Sequence, residues 1–87
     1  MKPKKLTDLK NISPKLAVRL NEIGVYTETD LRSIGPVQAH QLIKARYPEL
    51  FLSVSYYLYS FEGALTGKYC NDIGDERKKQ LCTELGL

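Results

Sequence analysis

The sequence predicts an all-α fold, a compact bundle of five to six helices in a single domain of 87 residues. Three observations predict it. Apolar residues recur at three- and four-residue steps along most of the chain, the spacing of one helix face. Capping residues and glycines punctuate those stretches where helices start and stop. The one alternating piece, Leu52-Ser53-Val54-Ser55, has no second piece to pair with as a strand. A chain this size buries roughly 60–65% of its unfolded surface. That supports one core with a net stability of about 5–10 kcal/mol.

Residues 1–5 read as a flexible basic leader in which Pro3 discourages helix, and residues 6–87 as the domain. A first helix is expected over about residues 6–10, where Leu6 and Leu9 pair at i, i+3. It is too short to stand alone, so Leu6, Leu9 and Ile12 must be held by packing. A tight polar turn follows at Asn11-Ile12-Ser13. Ser13 is suited to cap a second helix, and Pro14 to its first position, where a missing N–H costs nothing. Leu16, Ala17, Leu20 and Ile23 share one face. Gly24 suits the left-handed position past the helix end, with Val25 folding back. Two short helices joined this tightly, over about residues 6–24, make a helix-hairpin-helix unit of the SAM-like kind.

Thr27 and Asp30 are spaced as a capping box for a third helix over about residues 28–34, presenting Leu31 and Ile34. Gly35-Pro36 ends it and opens a fourth, to about residue 46, with Ala39, Leu42 and Ile43 on one face. Tyr47-Pro48 stops that helix, because the residue before proline avoids the helical region. Leu50, Val54, Tyr57, Leu58, Phe61 and Leu65 keep helical spacing over about 16 residues, longer than a normal strand. Leu52, Tyr56 and Tyr59 add a second stripe, so this helix, ending near Gly67, belongs at the centre. Ser60, Gly63, Ala64 and Gly67 are small enough to admit a closely crossing helix. A last helix starts at Asp75, where Asp75 and Glu76 favour the positive end of the dipole. Leu81, Cys82 and Leu85 face inward and Arg77, Lys78 and Lys79 face solvent.

Composition narrows the function. With 43% hydrophobic and 26% charged residues, this is an ordinary globular chain. No apolar run approaches the ~20 residues that span a bilayer, and MKPKKL lacks the apolar segment of a signal peptide. A cytoplasmic location without membrane association is expected. Cys70 and Cys82 are read as reduced thiols, and with one histidine they cannot complete a metal site. No cofactor is expected. Lys2, Lys4, Lys5, Lys10, Lys15 and Arg19 fall in the first nineteen residues against the single acid Asp8, so that end is electropositive. His40 is a lone histidine expected at the surface or with its hydrogen bonds satisfied. Glu62 and Asp72 have no partner base or nucleophile, and no phosphate loop or nucleophile elbow is present. A non-enzyme is expected, with Glu62 capping or pairing with a neighbouring segment.

The run Asn11-Ile12-Ser13-Pro14-Lys15-Leu16-Ala17, then Leu20, Ile23-Gly24-Val25, Thr27 and Asp30-Leu31, resembles helix-hairpin-helix motifs of DNA repair proteins. Phe61-Glu62-Gly63-Ala64-Leu65-x-Gly67, followed by Asn71-Asp72-Ile73 and a closing helix, narrows the resemblance to the C-terminal domain of TfoX/Sxy competence regulators. It spans about residues 6–85. The resemblance implies a bacterial transcription regulator of DNA-uptake genes, acting alongside a cyclic-AMP-dependent activator. It also implies an N-terminal domain absent here, so that the chain is a separate domain, a fragment or a short paralogue.

In nucleic-acid-binding hairpins, two glycines flanking an apolar residue let backbone amides meet a phosphate. Asn11 and Ser13 stand at those positions. Asn11 tolerates the left-handed conformation, whereas a capping Ser13 occupies an amide that a phosphate would want. Lys15 and Arg19 lie one turn apart, with Lys10 before the turn, allowing a non-specific, salt-sensitive grip on DNA. No base-reading signature is visible. The alternative is a protein-interaction module that docks on a transcription regulator or on an N-terminal TfoX-type domain. Tyr56 and Tyr59 are its candidate contacts, since tyrosine joins a rigid ring to a polar tip.

Overall fold

The computed structural model describes residues 5–86. Its helices form where the capping chemistry sits. Ser13 caps α1 (Pro14–Glu22), its hydroxyl accepting from the Leu16 amide at 3.2 Å, with Pro14 at the first position. The end of α1 is a Schellman closure. Gly24 takes φ 87, its amide donates to Asn21 at 3.0 Å, and the buried Val25 donates to Leu20 at 3.0 Å. Thr27 and Asp30 close the expected capping box at the start of α2 (Glu28–Arg46), with both bonds at 3.2 Å. Asp30 also accepts from the Tyr26 amide at 3.0 Å.

The remaining elements are α3 (Ser60–Thr66), entered through one wider, π-helical segment at Val54–Tyr59, and α4 (Asp75–Leu85). Single 3-10 turns lie at Leu6–Asp8 and Cys70–Asp72. The Leu6–Asp8 turn packs on α1, and α2 contacts each of the other helices. Fully buried Leu16, Leu20, Leu31, Ile43 and Phe61 join α1, α2 and α3 in one core, while Leu58 and Leu81 are equally enclosed.

The fold is therefore all-helical, with no strand among the described residues and four α-helical runs, the second of them two helices joined across a kink. Two stretches decide how the helices count. The chain extends at Leu9 (φ −86°, ψ 150°), so the expected first helix stops after one 3-10 turn. The third and fourth expected helices are both present within α2 and part where expected, at Gly35 (φ 80°, ψ 166°), whose backbone is not helical, just before Pro36. The central helix also begins later than its apolar spacing suggests. Leu50 and Leu52 lie outside it, and Ser53 caps the segment by accepting from the Tyr56 amide at 3.3 Å. It ends where expected, at left-handed Gly67.

Three expectations about faces are corrected. In α2, His40 is buried alongside Ala39 and Ile43, while Leu42 is exposed. At Gly63 the close approach comes from the backbone of Lys68 and the side chain of Asn11. A Cβ there would sit 2.3 Å from the Lys68 carbonyl oxygen and 2.4 Å from the Asn11 side-chain nitrogen. Arg77 faces solvent only in part. Its Nε and Nη2 donate to Glu62 at 2.9 and 3.2 Å, clamping α4 to α3, and Lys78 lies 5.3 Å from the Tyr59 ring centroid. The carboxylate of Glu62 is nearly enclosed while Arg77 remains partly solvated. Removing the cation strands a buried charge, which costs 3–5 kcal/mol in fully buried pairs. With solvent reaching this one, Arg77→Met is expected to lose about 1–2 kcal/mol in urea denaturation.

Candidate nucleic-acid surface at the 9–13 turn

Asn11 holds the centre of the turn. It is the single non-glycine residue with positive φ (71°) among the described residues, a region that asparagine tolerates better than most. Its side chain is turned back into the molecule. The Nδ2 group donates to the Lys68 carbonyl at 2.9 Å and to the Ser60 carbonyl at 3.5 Å, and Oδ1 accepts from the Cys70 amide at 3.1 Å. Gly63 leaves the room this amide needs. Asn11 is thus a clamp between the turn, the start of α3 and the segment after it.

Ser13 is committed as well. Besides capping α1, its hydroxyl lies 3.5 Å from that of Tyr56. Arg19 points toward a cluster rather than outward. It pairs with Glu22 at 3.3 Å, and its guanidinium lies 4.5 Å from the Tyr47 ring centroid. Hydrogen bonds to Tyr57 and then Glu22 raise its pKa above the usual value. Glu22 also accepts from the Tyr47 hydroxyl and pairs with Arg46 at 3.7 Å. The Tyr47 bond, with help from Arg19, holds its carboxyl below the ordinary glutamate range.

A depressed folded-state pKa contributes stability that is complete above the unfolded value and lost as pH falls through the folded one. The melting-temperature gap between wild type and Glu22→Gln is therefore expected to narrow on acidification from about pH 5 to pH 3. A constant gap across that range would deny the carboxylate this role.

Lys10 and Lys15 remain. Both are exposed on either side of the turn, and neither is in an ion pair among the described residues. Lys10 lies 4.4 Å from the ring centroid of the exposed Tyr69. The sequence reading missed Tyr69, and its only signal was an aromatic beside Lys68 in an otherwise polar bend. Of the five candidate phosphate contacts, two lysine side chains are thus presented to solvent, and three side chains hold internal bonds.

The two candidate docking tyrosines also separate. Tyr56 is 43% exposed. Tyr59 is half-buried, with its hydroxyl 3.4 Å from Cys82 Sγ, and that contact leads its pKa being pushed up to about 12. Cys70 and Cys82 are free thiols. No group of three or more His, Cys, Asp or Glu residues among those described is placed to hold a metal. No described helix is long and apolar enough to cross a membrane.

The TfoX C-terminal domain model matches residues 2–85. A crystal structure of an uncharacterized protein from Listeria monocytogenes (triclinic form) is similar at a TM-score of 0.78 and 26% sequence identity. The match covers 88% of this chain and 84% of that one. No curated protein matches. A family match over nearly the whole chain, together with this all-helical architecture, places the protein in the TfoX C-terminal domain family.

Proposed function

We propose that the chain is a non-enzymatic, cytoplasmic regulatory domain of the kind that acts on DNA-uptake genes, touching the DNA backbone without reading bases. In this reading the 3-10 turn, residues 9–13 and α1 work as a helix-hairpin-helix unit. The observation that carries it is the turn itself. A left-handed Asn11 stands between two solvent-exposed lysines, Lys10 and Lys15, immediately before the N-terminus of a capped helix. Phosphate binding draws on positive charge and helix-terminal polarity together.

Salt dependence tests it. Each lysine that neutralises a phosphate contributes about 0.9 to the slope of log K against log salt. Duplex DNA binding by Lys10→Gln/Lys15→Gln is expected to weaken and to lose about 2 units of that slope. Arg19→Gln, already paired internally, is expected to leave the slope unchanged. Equal slopes for wild type and the double variant would remove DNA from the account.

A second reading is docking on a transcription regulator or an N-terminal TfoX-type domain. It is favoured by the exposure of two large rings, Tyr56 at 43% and Phe51 at 86%. Absence of DNA binding even at low salt supports this reading over the first.

A further inference from the structure

The Asn11 clamp brings a second group beside the lysine-flanked turn. The residues on both sides of Tyr69 are tied to its amide. The Lys68 carbonyl accepts from Nδ2 at 2.9 Å, and the Cys70 amide donates to Oδ1 at 3.1 Å. The Lys68 amide also donates to the Gly63 carbonyl, and the Tyr69 carbonyl accepts from the Asp72 amide, both at 2.9 Å. The backbone that carries this ring is therefore held on either side. Lys10, the residue before Asn11, sets its ammonium 4.4 Å from the ring centroid.

Packing does not account for the ring. Tyr69 is 58% exposed and stands outside the buried core. A tyrosine presented to solvent on a clamped backbone offers an apolar face at little further cost in ordering. The lysines of this corner, Lys10, Lys15 and Lys68, are exposed, and none is in an ion pair among the described residues. Acids are present too. Asp8 and Glu28 line with Lys10 and Arg32 a cleft of about 400 Å³, where Glu28 is paired with Arg32 at 3.3 Å. Asp72 closes the 3-10 turn that follows Tyr69. Asp8 and Asp72 offset part of the lysine charge, so charge alone gives a weak grip and the ring must supply the rest.

An exposed ring among lysines is the pairing that holds single-stranded nucleic acid, with bases stacked on the ring and phosphates against the cations. In a duplex each base already lies between its neighbours, and no face is free until it is unstacked. Building on the phosphate contact of the preceding section, we propose that this corner binds single-stranded DNA in preference to duplex. One base stacks on the Tyr69 ring, and Lys10, Lys15 and Lys68 meet the phosphates. Stacking of this kind is indifferent to sequence, in keeping with the lack of a base-reading element.

Fluorescence anisotropy on the whole chain at low salt tests it, with labelled oligo(dT) of about twenty nucleotides, alone and paired with oligo(dA). The single strand is expected to bind at least about fivefold tighter than the duplex. Tyr69→Ala is expected to weaken the single strand about tenfold and to leave the duplex within about twofold. Tyr69→Phe keeps the ring and is expected to match wild type. Because Tyr69 is exposed, these variants keep the fold, which a circular dichroism melt checks. Lys68→Gln is expected to lose about 0.7 units of the single-strand salt slope. A merely structural role for Tyr69 would weaken both probes alike. That result, an unchanged single-strand affinity in Tyr69→Ala, or equal wild-type affinities for the two probes overturns the proposal and leaves duplex phosphate contact standing. Binding of neither probe removes both.

Discussion

Gly63→Ala is expected to lower the melting temperature by about 8–16 °C in a thermal scan followed by circular dichroism. Two effects of opposite sign meet here. Alanine inside a helix gains about 1 kcal/mol over glycine from backbone propensity. Its methyl carbon, however, would stand 2.3 Å from the Lys68 carbonyl oxygen and 2.4 Å from Asn11 Nδ2. The first of these is backbone and cannot swing away like a side chain. The Lys68 amide is also bonded to the Gly63 carbonyl at 2.9 Å, so retreat of that segment breaks a second contact. Overpacking costs 1–3 kcal/mol, occasionally more. The upper end of that range, about 3 kcal/mol, less the roughly 1 kcal/mol of propensity leaves a net loss of about 2 kcal/mol, at 4–8 °C per kcal/mol for a domain this small. A higher melting temperature would mean that propensity wins and the approach at Gly63 is slack.

The Asn11 clamp gives the second large effect, and two substitutions separate its parts. Asn11→Gly keeps the left-handed backbone at no steric cost and removes only the amide's bonds to Lys68, Ser60 and Cys70. At about 1 kcal/mol per bond, the expected loss is roughly 2–3 kcal/mol. Asn11→Ala loses the same bonds and must hold a methyl-bearing residue at positive φ, which costs roughly 1–2 kcal/mol more. Urea denaturation should therefore rank wild type above Asn11→Gly above Asn11→Ala. Indistinguishable wild type and glycine variants would show that the clamp contributes nothing. The clamp and Gly63 share a space, so Gly63→Ala is expected to cost less in the Asn11→Gly background than alone.

What was legible in the residues was local. Ser13-Pro14, Gly24-Val25 and Thr27–Asp30 each encode their own geometry within four or five positions, and each closes in the structure as its chemistry dictates. Helix length was less legible, because it depends on where packing stops supporting a turn. The Leu6–Asp8 turn lacks the residues to propagate, and Leu50 keeps helical spacing with the residues from Val54 onward without joining their helix. Least legible were the long-range commitments of polar side chains. Nothing near Asn11 announces that its amide bonds Lys68 and Cys70, and nothing near Arg19 announces Glu22 and Tyr47 together. A positive charge at helical spacing looks alike whether it meets solvent or a partner, and here Lys15 and Arg19 differ in just that way. The Glu62–Arg77 pair was half readable. An acid within an apolar helix needs a partner, but fifteen positions separate it from the one it finds.

The amide of Asn11 carries a consequence for assembly of the chain. Its three partners lie 49, 57 and 59 positions downstream. The lysine-flanked corner is thus completed by residues 60–70, and an excised peptide of residues 6–24 would lack all three of those bonds. Transplanting this corner onto another scaffold would mean carrying the 60–70 region with it.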